Sequence, residues 1–377
     1  MTKIFLKFIK YLLIIIIISV AYLSYFGIET KRFNQLIKER FKQSNQNIDI
    51  ELDDVKILLN ISNFTIGFKT YEPNILFENK KINLEKIAIN FSIKSFINKK
   101  FAIKNLKIFT KKNSVKKITS LVRVYKNTPQ IYIFDKMLKG GTVIAEITIN
   151  YDDEGKIKND YKIQGNVEDL KVNLLNKKSI KKINFKFEAD KKKYLFKKIK
   201  AEIDELKLFS NNIKIGIEKN YFLFEGDINN PLLSIKDENL SLFLKDKLKE
   251  NFITELNFSS ENNFSFKLNK KIKISDFIIK SKIDLKTMKY KNDNNFIKNI
   301  FPNYDNLFNL KNHIVKFSYS KDFFSILGNG EFSIKDQSDT ISYDIKYINK
   351  KYNFKSKIEF NSIPLQVKFL NYKKKKR

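Results

Sequence analysis
The residues equipped for chemistry are few. There is one histidine, His313, and no cysteine. Without Cys, disulfides, thiolate nucleophiles and Cys-based metal sites are excluded. With a single His, a zinc site built on several histidines is excluded, and so are two separate His-dependent centres. His313 has Asp305 and several serines as formal partners, but no nucleophile elbow accompanies it. It reads as a structural or surface histidine. Lys139-Gly140-Gly141-Thr142 lacks the Gly-Lys-Ser/Thr core of a phosphate loop and reads as a turn before a strand at Val143. Asp152-Asp153-Glu154-Gly155 lacks the spaced oxygen ligands of a calcium loop and reads as a hairpin turn. Gly328-Asn329-Gly330 is likewise a turn pattern. The 41 acids leave a carboxylate dyad open, because closeness in space is invisible in sequence. No catalytic residue, cofactor site or metal site is assigned, and the chain is expected not to be an enzyme.

Composition points towards strands and a membrane. Hydrophobic residues make up 42% and charged residues 30%, which is not a disordered composition. The apolar set leans on Ile, with 35 Phe, 17 Tyr and no Trp, types that suit the pleated, half-buried surface of a sheet. With 10 Gly and 5 Pro, most turns fall to Asn, Asp and Ser. The net charge is +32, yet only Arg32, Arg40, Arg123 and Arg377 among the 73 basic residues are arginines. Nucleic-acid readers favour Arg, whose guanidinium fork fits phosphate and guanine edges, so nucleic acid is not an expected partner. The lysine excess has two readings, a compositional bias of the source and attraction to anionic headgroups.

The elements follow from periodicity. Lys3, Lys7 and Lys10 precede an uncharged apolar run, Tyr11–Ile28. Eighteen residues at about 1.5 Å each reach about 27 Å, close to the hydrocarbon thickness of a bilayer. Leu12, Ile15, Ile18 and Tyr22 lie along this anchor. The exit, Ser19 to Gly27, shows no Ala-x-Ala site, which favours an uncleaved anchor over a signal peptide. Lysines before the span place residues 1–10 in the cytoplasm and the body of the chain outside it. A short amphipathic helix is expected over 30–44, capped by Thr30, with Phe33, Leu36, Ile37 and Phe41 on one face. That face either packs on the following domain or lies on headgroups.

From residue 48 the period becomes 2. Ile48, Ile50 and Leu52 alternate, as do Phe64, Ile66 and Phe68. Ile82 and Leu84 are followed, after Glu85 and Lys86, by the shifted set Ile87, Ile89, Phe91 and Ile93. A phase flip inside a strand predicts a bulge. Ile147 and Ile149 lead into Asp152, and Ile183, Phe185 and Phe187 form a further set. Turns are expected at Lys219-Asn220 and Asn349-Lys350. Helices are expected at roughly 114–125, 238–249 and 293–301. Clean alternation means antiparallel strands with one greasy and one wet face. No Gly-, Pro- or Ser-rich linker marks a domain boundary after the anchor. The fold class is therefore mainly β, a transmembrane helix followed by an elongated antiparallel sheet curled into a hydrophobic trough, with few short helices.

The order of features resembles a known family. The basic-flanked anchor, the short helix, the run Ile48-Asp49-Ile50-Glu51-Leu52-Asp53-Asp54-Val55, the segment Lys81 to Ile93 and the segment Asn98 to Ile108 resemble the amino-terminal end of the AsmA-like proteins of Gram-negative envelopes. That group includes the TamB-like and YhdP-like proteins. Pro129 to Ile133 and Gly165 to Leu170 look most like the YhdP-type branch, whose chains are usually much longer and end in a segment that meets the outer membrane. The resemblance implies a short or partial member with a single-pass inner-membrane anchor, a periplasmic β-groove domain over 45–370 and a basic tail over 371–377. It implies phospholipid transport between inner and outer membranes, with phospholipids and the inner membrane as partners. It carries over no catalytic residue. The groove candidates are Ile82, Leu84, Ile87, Ile89, Phe91, Ile93, Ile147, Ile149, Ile183, Phe185 and Phe187, which ordinary core packing would also explain. The alternative function is an anchored assembly factor that binds outer-membrane or other envelope proteins through its sheet edge.

Overall fold
The computed structural model describes residues 2–44, 48–77, 80–94, 103–125, 128–152, 156–174, 179–203, 206–236, 253–292, 295–367 and 370–374. The fold is mainly β, with a large antiparallel sheet, few short helices and one apolar amino-terminal helix. The chain forms two compact units, residues 1–196 and 197–377.

In the first unit, helix α1 spans Thr2–Tyr25, and its stretch Ile4–Tyr25 is long and apolar enough to cross a membrane. Its apolar side chains project outward, with Leu12 47%, Ile15 60%, Ile18 62% and Tyr22 54% exposed. Such a surface has no solvent partner in water but suits lipid tails. The helix stops three residues short of the apolar run. The Phe26 and Gly27 N–H groups both donate to the Tyr22 carbonyl, at 2.8 and 3.1 Å. Gly27 then takes φ +71°, where a Cβ would stand 2.4 Å from the Ile57 carbonyl oxygen. Ile28 consequently opens strand β1 (Ile28–Thr30), antiparallel to β3 (Val55–Asn60). Thr30 is thereby held in the sheet and does not cap a helix. Its hydroxyl accepts from the Arg32 N–H at 3.2 Å, and α2 begins later, at Asn34–Ser44.

The remaining strands of this unit are β2 (Ile48–Glu51), β4 (Thr65–Tyr71), β5 (Asn74–Phe77), β6 (Lys80–Ser92), β7 (Ile103–Thr110), β8 (Asn113–Ser114), β9 (Leu138–Tyr151), β10 (Ile157–Asn173) and β11 (Ser179–Ala189). Registers fix the order β1-β3-β4-β6-β7-β9-β10-β11, antiparallel throughout. β2 and β5 pair as a side ribbon on the first half of β6. Helix α3 (Val115–Tyr125) falls where expected. Helix α4 (Pro129–Met137) was not expected from its Ile-Tyr-Ile-Phe content. Thr128 caps it through the Ile131 N–H at 3.4 Å, and Pro129 occupies the first turn. Arg123 reaches Asp135 at 2.6 Å and ties α3 to α4.

β12 (Lys193–Ile203) contains the unit boundary. The second unit is a meander of β13 (Leu206–Ile217), β14 (Tyr221–Lys236), β15 (Ile253–Asn269), β16 (Ile274–Lys291), β17 (Leu307–Ser320), β18 (Phe323–Ile334), β19 (Gln337–Ile348) and β20 (Lys351–Glu359). Each strand pairs antiparallel with the next. Asn349 and Lys350 take φ 52° and 63°, the mirror-image turn that a two-residue hairpin favours. A Glu218 N–H to Tyr221 carbonyl bond of 3.0 Å closes the turn at Lys219-Asn220. Helix α5 (Asn295–Ile300) precedes β17, and β21 (Leu365–Val367) pairs with β22 (Tyr372–Lys374). The expected helix at 238–249 lies outside the described residues.

Candidate functional site
Residues directly opposite one another on paired strands share a face. Following the registers across the first unit gives unbroken apolar rows. One runs Phe68, Ile89, Leu106, Ile149, Tyr161, and another Ile87, Ile108, Ile147, Ile163, Ala189. Val143, Val167 and Phe185 form a third, with Gly165 and Phe187 beside it. Of the groove candidates, Ile87, Ile89, Phe91, Ile147, Ile149, Ile183, Phe185 and Phe187 thus lie on one face of one sheet. Ile93 lies just past the end of β6, where its N–H donates to the Phe64 carbonyl at 2.9 Å.

The phase flip between Leu84 and Ile87 is a bulge, seen as a register shift between Leu84 and Lys86 against β7. It keeps Ile87 on the same side of β6 as Ile82 and Leu84. Ile82, Leu84 and Ile87 are buried with Ile50, and Ile37 of α2 and Ile118 and Leu121 of α3 pack over them. Each such burial stabilises the unit by about 1.5–3 kcal/mol. Ile183, Phe185 and Phe187 flank a second core of Leu138, Val167, Leu170 and Val172. By contrast, Phe91, Ile147, Ile149, Tyr161 and Ile163 are half-buried and belong to no core cluster among the described residues. The candidates therefore divide into a closed end that is ordinary core and an uncovered stretch. Tyr161 and Ile163 were missed from the sequence because Gly165 interrupts their alternation with Val167.

The opposite face is wet. Lys56, Lys69, Ala88, Lys107, Thr148 and Lys162 form one row, and Asn90, Asn105 and Asn150 another. Side chains bond laterally along it. Asn90 donates to Asn105 at 2.7 Å, and Gln164 to Glu146 at 2.9 Å.

The second unit repeats the pattern. Ile215, Phe224 and Phe266 share a row, and so do Ile213, Gly226, Phe264, Ile279, Tyr319, Phe324, Tyr347 and Tyr352. Phe224 stacks on Phe266 with centroids 4.6 Å apart. One end of this face is closed by a core of Tyr304, Phe332, Ile334 and Ile363, with Ile297 of α5 against it.

The groups singled out for chemistry are structural where they are described, and residues 153–155 lie outside the described residues. His313 is fully buried in β17, with Nε2 2.8 Å from the Glu331 carbonyl and Nδ1 3.3 Å from the Tyr343 hydroxyl. Burial pushes its pKa below the ordinary histidine value, so the ring is neutral. Gly328-Asn329-Gly330 is not a turn but the middle of β18. The two glycines leave room for rings, since a Cβ at Gly330 would meet the His313 ring at 2.3 Å and one at Gly328 the Tyr343 ring at 2.2 Å. Gly140-Gly141 is likewise inside β9. Gly141, at φ +104°, forms a bulge against Leu170, whose Cα would lie 2.6 Å from a Cβ there. The buried Asp227 accepts from the Asn211 and Asn212 N–H groups at 2.9 and 3.0 Å. The buried Asp339 accepts from Asn361, Ser362 and Ile363 at 2.8, 2.9 and 2.7 Å. Each thus holds a bulge or a chain reversal. Among the described residues no group of three or more His, Asp or Glu is placed to hold a metal.

No protein-family model, curated protein or solved structure matches this chain.

Proposed function
We propose that this chain is a membrane-anchored lipid-handling protein of AsmA-like type, with the apolar sheet face as the surface that receives acyl chains. In this reading α1 spans the inner membrane once, with residues 1–10 cytoplasmic. The β units lie in the periplasm, the apolar face lines a trough, and phospholipid moves along it between inner and outer membranes. The observation that carries the reading is the stretch where the rows cross β9 and β10, through Ile147, Ile149, Tyr161 and Ile163. These side chains are half-buried, belong to no core cluster among the described residues, and are backed by a face of Lys and Asn. An uncovered apolar surface of this kind normally has a ligand. Acyl burial contributes about 0.8 kcal/mol per CH₂, so a chain leaving a bilayer for such a surface keeps most of its solvation free energy. No side chain need react.

A photo-crosslinking residue placed at Ile149 and, separately, at Thr148 tests this. The two are adjacent but on opposite faces. Lipid adducts confined to position 149 are expected. Equal adducts at both positions, or none at 149, would overturn the proposal.

One observation favours a second reading. Every residue of β20 is exposed, and among the described residues it pairs only with β19. An open edge of this kind suits strand addition by an envelope protein, although Lys351, Lys355 and Lys357 are the residues that guard edges against unwanted pairing.

A further inference from the structure
The meander of the second unit gathers four hairpin tips at one rim. They lie at Lys219-Asn220, Lys270 to Lys273, Lys321-Asp322 and Asn349-Lys350. This rim is strongly basic. Lys219, Lys270, Lys271, Lys273, Lys321 and Lys350 are all exposed, and among the described residues none is in an ion pair. Its acids are Glu218, Asp322 and Asp276, and Asp276 is held by Lys267 at 2.8 Å.

The same rim is unusually apolar. Ile272 is 59% exposed, Ile274 57% and Tyr352 74%, with Ile278, Phe323 and Ile348 also exposed. An aromatic-lined cavity of about 350 Å³ opens between the tips, bounded by Tyr319, Lys321, Phe324 and Tyr352. The opposite rim differs. Among its described residues, the turn Lys335-Asp336 is balanced in charge, and Tyr304, Phe332, Ile334 and Ile363 are sealed in a core, while Leu232 is 60% exposed.

Ile272 is the decisive residue. It sits at φ +60°, where a β-branched side chain is a genuine outlier. The turn that imposes this is well made. Asn269 Oδ1 accepts from the Lys271 and Lys273 N–H groups, each at 2.9 Å, and the Asn269 carbonyl accepts from the Ile272 N–H at 3.0 Å. Glycine or asparagine would fit that position without strain. An exposed isoleucine there, flanked by Lys270, Lys271 and Lys273, combines an apolar wedge with cations at the depth of headgroups.

We infer that this rim docks on an anionic lipid bilayer, with Ile272 inserted between headgroups. The inference goes beyond the acyl-binding proposal; Tyr319, Phe324 and Tyr352 belong to both the rim and the apolar face, so the test reads Ile272 and the tip lysines, which belong to the rim alone.

The chain has no cysteine, so Ile272→Cys carries a single environment-sensitive fluorophore. The full chain is placed in phosphatidylcholine nanodiscs, which satisfy its anchor, and offered separate vesicles. The expected result is a blue shift with phosphatidylglycerol-containing vesicles and none with pure phosphatidylcholine. A label at Asp336→Cys, on the opposite rim, should not respond. Lysines near an anionic surface act roughly additively at about fivefold each. The triple change of Lys270, Lys271 and Lys273 to Gln should therefore weaken vesicle affinity on the order of 100-fold. Lys321→Gln, on a separate hairpin, should weaken it about fivefold and keeps the test open if the triple variant misfolds. No vesicle response at position 272, an equal response to neutral vesicles or an equal response at 336 would overturn the inference. A response only to a soluble protein would do the same.

Discussion

Ile149→Asp places a carboxylate in the uncovered stretch of the apolar face. Its register neighbours are Leu106 and Tyr161, and no cation shares that row to receive the charge. Moving a carboxylate into a hydrocarbon environment costs about 2.5–3.5 kcal/mol. Ile149 is half-buried, and an acyl chain covers only the part still exposed, so about a third of that cost applies on binding, about 1 kcal/mol, or about a fivefold loss of affinity. Ile149 belongs to no core cluster among the described residues, so the unit should still fold. Thr148→Asp is the matched control. It faces Lys107 and Lys162 in register on the wet face, where a carboxylate is welcome. Titration of a fluorescent phospholipid into each variant in mild detergent, with circular dichroism to confirm folding, reads the difference. Equal affinities for Ile149→Asp, Thr148→Asp and the parent chain would refute the reasoning.

Other perturbations probe what holds the face in place. Gly27→Ala forces a Cβ towards the Ile57 carbonyl at 2.4 Å and strains a positive φ, so it should destabilise the junction of α1 and β1 by about 1–3 kcal/mol. Protease cleavage near residue 27 should accelerate accordingly. His313 has a depressed pKa, so the unfolded chain takes up the proton first. The stability it contributes is complete above about pH 6.5 and is lost as pH falls towards the folded value. The melting midpoint of the second unit should drop by about 3–5 °C per pH unit within that window, and His313→Phe should flatten this dependence. Asp339→Asn turns an acceptor into a donor facing the Ile363 N–H, which now bonds at 2.7 Å. It should cost about 1.5–3 kcal/mol and speed hydrogen exchange over residues 361–363.

The strands were legible because period-2 alternation is a direct consequence of one buried face. The bulge at Glu85-Lys86 was legible for the same reason, since a one-residue insertion must invert the phase. Helix α4 was hidden by Ile131, Tyr132, Ile133 and Phe134, which favour strands. Thr128, Pro129 and the Arg123–Asp135 pair override that preference. Gly328 and Gly330 imitated a turn because their purpose, making room for Tyr343 and His313, comes from neighbouring strands and has no local signature. Thr30 looked like a helix cap, but its pairing with Val55 in β3 draws it into the sheet. The site was half legible. Sequence identified which residues face the greasy side, but not which of them the helices cover. Ile82, Leu84 and Ile87 proved to be core because α2 and α3 return over them, a contact set by tertiary packing.

The uncovered stretch of the apolar face is proposed to hold lipid. Mass spectrometry of phospholipid retained by the full chain, purified in mild detergent beside its Ile149→Asp variant, tests it most directly, because lipid around α1 is common to both. Excess phospholipid on the parent chain, lost in the variant, is the predicted result. Identical lipid content on two equally folded proteins would contradict the account.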